Sequence, residues 1–151
     1  MQKQCEDLES IYDRLRLAIR KGGFKNSKQR EFILKILHQN QGEHLGPDDI
    51  FVFAKAESRN ASVSSIYRIL AFLEQEGFVR AIETDKRGKR YEIASCSHHD
   101  HMICLECGEI IEFVDTAIEE RQEKIAKSHG AKIIGHDMRL FVLCKVCQKK
   151  F

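Results

Sequence analysis

The sequence predicts an α+β chain in two parts, on three observations. Apolar residues recur at helical spacing through the first half, punctuated by Gly and Pro. Two short strand-like runs with a basic tip between them come next, over residues 78–83 and 90–93. The remainder is bracketed by two identical pairs, Cys104-x-x-Cys107 and Cys144-x-x-Cys147. Pairs at that spacing can each supply two corners of a tetrahedron, which together make a closed zinc site of four thiolates.

The elements run in chain order. Leu8, Ile11, Leu15 and Ile19 mark a first helix that Gly22-Gly23 ends. Asn26-Ser27 is the expected cap of a second helix, carried by Phe32, Ile33, Ile36 and Leu37 to about Asn40. Gly46-Pro47-Asp48-Asp49 opens a third, with Pro in the first turn and acids favoured by the helix dipole. It is expected to end near Glu57, and Ser62 caps a fourth. On that fourth helix Val63, Ile66, Ile69, Leu70 and Leu73 share one side at about 100° per residue. Ser64, Arg68, Ala71 and Gln75 share the other, with Tyr67 at the flank.

Such a stripe is often only a wet helix face. The next segment gives it a use. Gly77 stops the helix, and the hairpin after it turns through Asp85-Lys86-Arg87-Gly88-Lys89. Helix, turn, helix and a basic-tipped hairpin is the order of a winged helix, expected over residues 1–90 as a DNA-binding domain. There Arg68 can read guanine, Ser64 can contact phosphate, Tyr67 can pack on a thymine methyl, and Lys86 and Arg87 suit phosphate at the wing. The net charge of +2 says little. Its distribution says more: eight basic residues against Glu31 alone from Arg14 to Lys35, and a second acid-free cluster at residues 86–90.

Residues 91–151 are too few to bury a generous core unaided, and a structural zinc answers that shortage. Strands are expected at residues 101–104 and 109–114, a helix at 115–128, and a returning strand through 132–135 and 139–143. The expected result is a small α/β domain with a three-stranded antiparallel sheet, of a shape that could pair with its own copy. His98-His99-Asp100-His101 stands just before the first Cys pair. In extended chain His98 and Asp100 face one way and His99 and His101 the other, which sorts four ligand residues into two sites. Glu92, Glu112, Glu119, His136 and His44 are the candidates to complete them. Each of these taken alone reads as a surface acid or a loop histidine; His38 and His129 stay with that reading. Sites of His and carboxylate suit Fe2+, Mn2+, Zn2+ or Ni2+.

Several classes are not expected. No 18-residue apolar run is present to span a membrane, and the charged start lacks an export signal, so a cytoplasmic protein is expected. An HExxH motif is missing, and neither CxxC opens a helix after a βα pattern, so no enzyme or thioredoxin-like function is expected. A zinc-dependent protein-docking module would leave the wing unexplained. Cys5 and Cys96 fall outside both pairs and are expected to be ordinary thiols.

With these residues in view, the chain closely resembles the ferric uptake regulator (Fur) family of bacterial metal-dependent repressors. The resemblance runs through residues 25–30, Ser64-Ser65-Ile66-Tyr67-Arg68-Ile69-Leu70, Arg90-Tyr91-Glu92, residues 98–104, Cys107-Gly108, Ile110-Ile111-Glu112-Phe113, Gly135-His136 and the final Cys pair. The extra first helix and Asn26-Ser27-Lys28-Gln29-Arg30-Glu31 look most like the Fur proteins of Helicobacter-like bacteria. The resemblance implies three metal positions. Cys104, Cys107, Cys144 and Cys147 match structural zinc ligands. His44, Glu92, His99, His101 and Glu112 match a regulatory site for Fe2+ or a substitute such as Mn2+ or Zn2+. His98, Asp100, Glu119 and His136 match an additional site. It further implies a homodimer, with a tetramer as the alternative, on an operator in double-stranded DNA, repressing iron-uptake genes when metal is bound. Lys25 matches a residue that family members place at the minor groove, and Tyr67 and Arg68 match recognition-helix contacts. Zinc-, manganese- and peroxide-sensing regulators share the superfamily; peroxide sensors typically have Asp where this chain has Glu112.

Overall fold

The computed structural model describes residues 5–25 and 28–151. The expected cap Asn26-Ser27 lies outside them, as does the very start of the chain, residues 1–4. The chain divides into two compact units, Met1–Ser97 and His98–Phe151.

In the first unit α1 (Leu8–Gly22) is capped by Asp7, whose Oδ1 accepts the Ser10 amide at 3.0 Å. Gly23 closes the helix at φ 68°, a left-handed conformation that glycine adopts without a Cβ penalty. Ile11, Leu15 and Ile19, four residues apart, are its buried stripe. In α2 (Lys28–Gln39) Phe32, Ile33, Leu34, Ile36 and Leu37 are buried, and in α3 (Pro47–Ala56) Ile50 and Ala54 join the same core. In α4 (Val63–Gln75) Ile66, Leu70 and Leu73 face that core. Ser62 and Ser65 cap α4 reciprocally, each hydroxyl accepting the other's amide at 3.1 Å.

Past Gly77, β1 (Val79–Thr84) and β2 (Gly88–Ile93) form an antiparallel hairpin registered from Val79↔Ile93 to Thr84↔Gly88. Thr84 Oγ1 donates to the Gly88 carbonyl and accepts the Arg87 amide, fixing the turn beneath the basic tip. All of β2, Glu92 included, belongs to the first unit.

The second unit is a three-stranded sheet of β3 (Asp100–Cys104), β4 (Ile110–Phe113) and β5 (Arg139–Val142), in the order β4-β3-β5. An antiparallel sheet was the expectation; the sheet is mixed. β3 and β4 are antiparallel, but β5 runs parallel to β3, Met102 opposite Leu140. The tight knuckle after Cys104 reverses the chain once. The crossover through α5 (Thr116–Ser128) reverses it again, so β5 returns along the other edge of β3. The strand expected over 132–135 is absent: those residues join neither outer edge of the β4-β3-β5 sheet. Ile134 is 91% exposed there. A short helix α6 (Lys145–Gln148), which the sequence did not lead us to expect, closes the chain, with Cys144 as its N-cap residue.

Candidate metal centres and nucleic-acid face

Cys104 ends β3, Cys107 lies in the knuckle, and Cys144 and Cys147 sit at the cap and on the turn of α6. The knuckle is built by the backbone: the Gly108 amide donates to the Cys104 carbonyl, and Gly108 sits at φ 74°. The four sulfurs lie within 4.8 Å of one another, with Cys107 Sγ and Cys144 Sγ 3.8 Å apart. Four thiolates at a Zn–S length of about 2.3 Å stand roughly 3.8 Å from each other, so the cluster fits zinc. Its protonation is uneven. Amide donors, Cys144 first and Cys107 next, hold the Cys104 thiol down to about 6. Burial first, and then the neighbouring sulfurs, push the Cys147 thiol up to about 12.

His44 lies in the first unit, in a left-handed conformation at φ 47° between α2 and α3, and is 3% exposed. The Tyr91 amide donates to the Leu45 carbonyl and Arg90 Nε to the His44 carbonyl, which lashes this loop to β2. His44 Nδ1 is 3.1 Å from the Gly42 carbonyl and its Nε2 is 2.9 Å from Glu92 Oε2. A carbonyl can only accept, so Nδ1 donates. Nε2 is then left facing a carboxylate, an arrangement that suits a metal ion as the shared partner.

In the second unit His101 is the register partner of Glu112 across β3 and β4, and His99 Nε2 is 3.4 Å from Glu112 Oε1. The rings of His99 and His101 meet edge-on at 4.8 Å. The alternate residues gather elsewhere in the same unit. Asp100, 2% exposed, has His136 Nε2 at 3.0 Å and His98 Nε2 at 3.7 Å. Glu119, on α5, reaches His98 Nε2 at 3.3 Å. A carboxylate this deeply buried needs hydrogen-bonding partners, and the His136 imidazole at 3.0 Å supplies one.

On the outer face of α4, Ser64, Tyr67, Arg68, Ala71 and Gln75 are exposed. Lys86 and Arg87 are exposed at the hairpin tip, and Lys25 just after α1. The basic run from Arg14 to Lys35 is in part internally committed. Arg14 pairs with Glu6 at 2.6 Å, and Arg16 with Glu31 at 3.3 Å. Sequence reasoning missed Arg30, counted there only as a charge. Its Nη1 donates to the Lys25 carbonyl at 2.8 Å, and its guanidinium lies 4.2 Å over the ring of Phe72 on α4. Phe24 meets Phe72 edge-on at 5.1 Å. A Cβ on Gly22 would collide with the Phe24 ring, so this small residue admits the cluster. The signal present in the sequence was Phe24 and Phe72 flanking an arginine not needed as surface charge.

Cys5 and Cys96 are not ordinary thiols: their sulfurs are bonded. A separation of 91 residues hid the pairing.

Comparison with known proteins agrees with these features. The profile of the ferric uptake regulator family matches residues 21–141. The ferric uptake regulation protein of Helicobacter pylori (strain ATCC 700392 / 26695) is 53% identical over 147 residues, 97% of each chain. A structure of the Helicobacter pylori ferric uptake regulator, described as revealing three functional metal binding sites, superposes with a TM-score of 0.87 over 97% of each chain, at 53% identity. An iron-containing ferric uptake regulator structure from Francisella tularensis superposes at 0.72 and 36% identity, covering 83% of this chain and 96% of that one. With its four-cysteine cluster, histidine–carboxylate clusters and basic-tipped hairpin, this chain belongs to the ferric uptake regulator family.

Proposed function

We propose that this protein is an iron-responsive repressor that binds operator DNA as a homodimer and silences iron-uptake genes when its regulatory site is loaded. The observation that carries this reading is the His44 imidazole, aimed by the Gly42 carbonyl at Glu92. His99, His101 and Glu112 form a matching set on the second unit. In this reading the two sets would be the ligands of one ion. Neither set alone offers more than three protein ligands, whereas together they offer five.

A bound Fe2+ would supply the divalent charge that the imidazoles and carboxylates are suited to meet. His44 and Glu92 would hold it from the winged unit, and His99, His101 and Glu112 from the other. The separation of the two recognition helices in a dimer is thereby fixed to the groove spacing of an inverted repeat. Moving such an equilibrium from 1:99 to 99:1 takes about 5.5 kcal/mol of differential affinity, within reach of a site complete in one state only. Ser64, Tyr67 and Arg68 on α4 enter the major groove, Lys25 the minor groove, and Lys86 and Arg87 meet phosphates.

Supporting the dimer, α5 buries no residue among those described, and Phe141 and Val146 are 64% and 67% exposed. Phe141 lies on the edge strand β5 and Val146 on α6, and exposed apolar groups of this kind call for a partner surface. His98, Asp100, Glu119 and His136 hold a further divalent ion, and the four-cysteine cluster keeps its zinc throughout. No helix among the described residues is long and apolar enough to cross a membrane. A repressor of this kind works on DNA in the cytoplasm.

Anaerobic fluorescence anisotropy with an AT-rich inverted-repeat duplex tests the reading. Protein retaining its zinc should bind specifically only as Fe2+ or Mn2+ is added. Binding indifferent to those ions, or driven by sub-micromolar Zn2+ alone, would move the protein to another branch of the superfamily. Mass measurement on the complex separates dimer from tetramer.

A further inference from the structure

His44 is gripped at both ends from one strand of its own unit. Residues two apart on a strand share a face, so Arg90 and Glu92 project from the same side of β2. Arg90 Nε donates to the His44 carbonyl at 2.8 Å, and Glu92 Oε2 stands 2.9 Å from the ring. Between them the Tyr91 amide donates to the Leu45 carbonyl at 2.9 Å.

The guanidinium is itself fixed. Its Nη2 lies 2.7 Å from Asp49 Oδ2, the same oxygen that accepts the Gly46 amide at 2.8 Å. Asp49 stands in the first turn of α3, so Arg90 joins β2, the His44 loop and the start of α3 at one point. The Arg90 side chain is largely buried, which leaves it little surface to offer a phosphate. Gly46 makes the room. A Cβ there would stand 2.8 Å from Arg90 Nη1, and the next atom it would meet is the guanidinium carbon at 3.5 Å.

We infer that Arg90, Asp49 and Gly46 form a latch that positions His44 as a metal ligand. This rests on the reading above that His44 is a ligand of the regulatory ion. His44 needs such a hold: its φ of 47° is a left-handed conformation that a residue with a Cβ keeps only where its neighbours impose it. Released, the backbone relaxes to negative φ and the imidazole swings away from Glu92. Arginine suits the task because its planar fork gives Nε to one acceptor and Nη2 to another. A lysine ammonium carries the charge without that spacing.

Gly46→Ala opens the latch without removing any of its bonding groups. Gly46 sits at φ −90° and ψ 172°, extended backbone that alanine also adopts. The added methyl meets the far end of a long side chain, so the guanidinium yields and the fold stays.

The test uses the full chain with its zinc in place and reads two quantities by anisotropy with the operator duplex. One is the Mn2+ half-point; the other is the Kd for DNA at saturating Mn2+. Gly46→Ala and Arg90→Lys should each raise the half-point about tenfold and leave the Kd at saturation unchanged. Their combination should be no worse than Arg90→Lys alone, and Gly46→Ala should add nothing in a His44→Ala background. Zinc content and unfolding temperature check that each variant is folded. Half-points unchanged in both variants, while His44→Ala raises its own, overturn the latch and leave the bridging reading standing. A weaker Kd at saturating Mn2+ with an unchanged half-point also overturns it, since Arg90 would then serve the DNA face. A Gly46→Ala shift that persists in the Arg90→Lys background overturns the route through the guanidinium. An unchanged half-point in His44→Ala defeats the bridging reading, and the latch with it.

Discussion

His44 Nε2 faces Glu92 Oε2 across 2.9 Å, and the Gly42 carbonyl behind the ring fixes which nitrogen carries the hydrogen. The left-handed backbone at His44 and the Leu45–Tyr91 bridge hold this geometry within the winged unit. Part of the ligand set proposed as regulatory is thus assembled before any ion arrives. Preassembly of that kind lowers what metal binding must spend on ordering side chains.

The cluster around Asp100 should behave differently from the set proposed as regulatory. His136→Ala removes the imidazole 3.0 Å from the buried carboxylate. One divalent ion per chain should disappear from an equilibrium-dialysis count, with metal-dependent operator binding retained. Loss of the DNA response with the ion count unchanged would reverse the roles of the two clusters.

Arg30 should act through Lys25. Arg30→Ala removes the bond to the Lys25 carbonyl and the stacking on Phe72, and should weaken operator binding by up to about tenfold, or roughly 1.4 kcal/mol. If it positions Lys25, the effect should largely vanish in a Lys25→Ala background. Additive losses in that double-mutant cycle would show that Arg30 acts independently.

Zinc uptake by the metal-free protein should release at most three protons at about pH 7.5. Cys104, held down to about 6, is already a thiolate there, while Cys147, pushed up to about 12, still carries its proton. The sign is set by these directions. Cys104 gives up its proton below the working pH and adds nothing to the release. Cys147 must be deprotonated by the ion, so zinc affinity should climb as pH rises from about 7 to 9. Calorimetry in buffers of differing ionisation enthalpy counts the protons, and a value of four would contradict the thiolate at Cys104.

Phe141→Glu should dissociate the dimer. The substitution puts a carboxylate on an exposed apolar position of the edge strand β5. Light scattering at micromolar concentration should report a monomer with the zinc content unchanged. A stable dimer would place the interface on another surface.

The helices of the first unit were legible because each carries its own local instructions. Ile11, Leu15 and Ile19 repeat at four residues, Ser62 caps α4, and Gly77 takes a left-handed conformation after it. The exposed stripe of Ser64, Tyr67 and Arg68 comes from the same periodicity. Direction and pairing at long range were not legible. Whether Arg139–Val142 joins β3 parallel or antiparallel depends on the path of α5, which no alternation of side chains records. The Cys5–Cys96 bond depends on where two ends of a unit meet. Arg30 looked like surface charge because the rings that enclose it lie 6 and 42 positions away in sequence. The grouping of candidate ligands could be anticipated because the histidines and cysteines fall in short runs and pairs; the hydrogen bond from His44 to Gly42, which aims the ring, left no trace in the sequence.

The measurement that bears most directly on the central claim is a metal titration of operator binding by His44→Ala beside the unaltered protein, both with zinc retained. Losing a ligand from a bridging site should raise the Fe2+ or Mn2+ half-point by about 10–100-fold, with the zinc content of the four-cysteine cluster unchanged. An unaltered half-point in His44→Ala would show that the winged unit contributes no ligand to the sensing ion, and the bridging mechanism would be wrong.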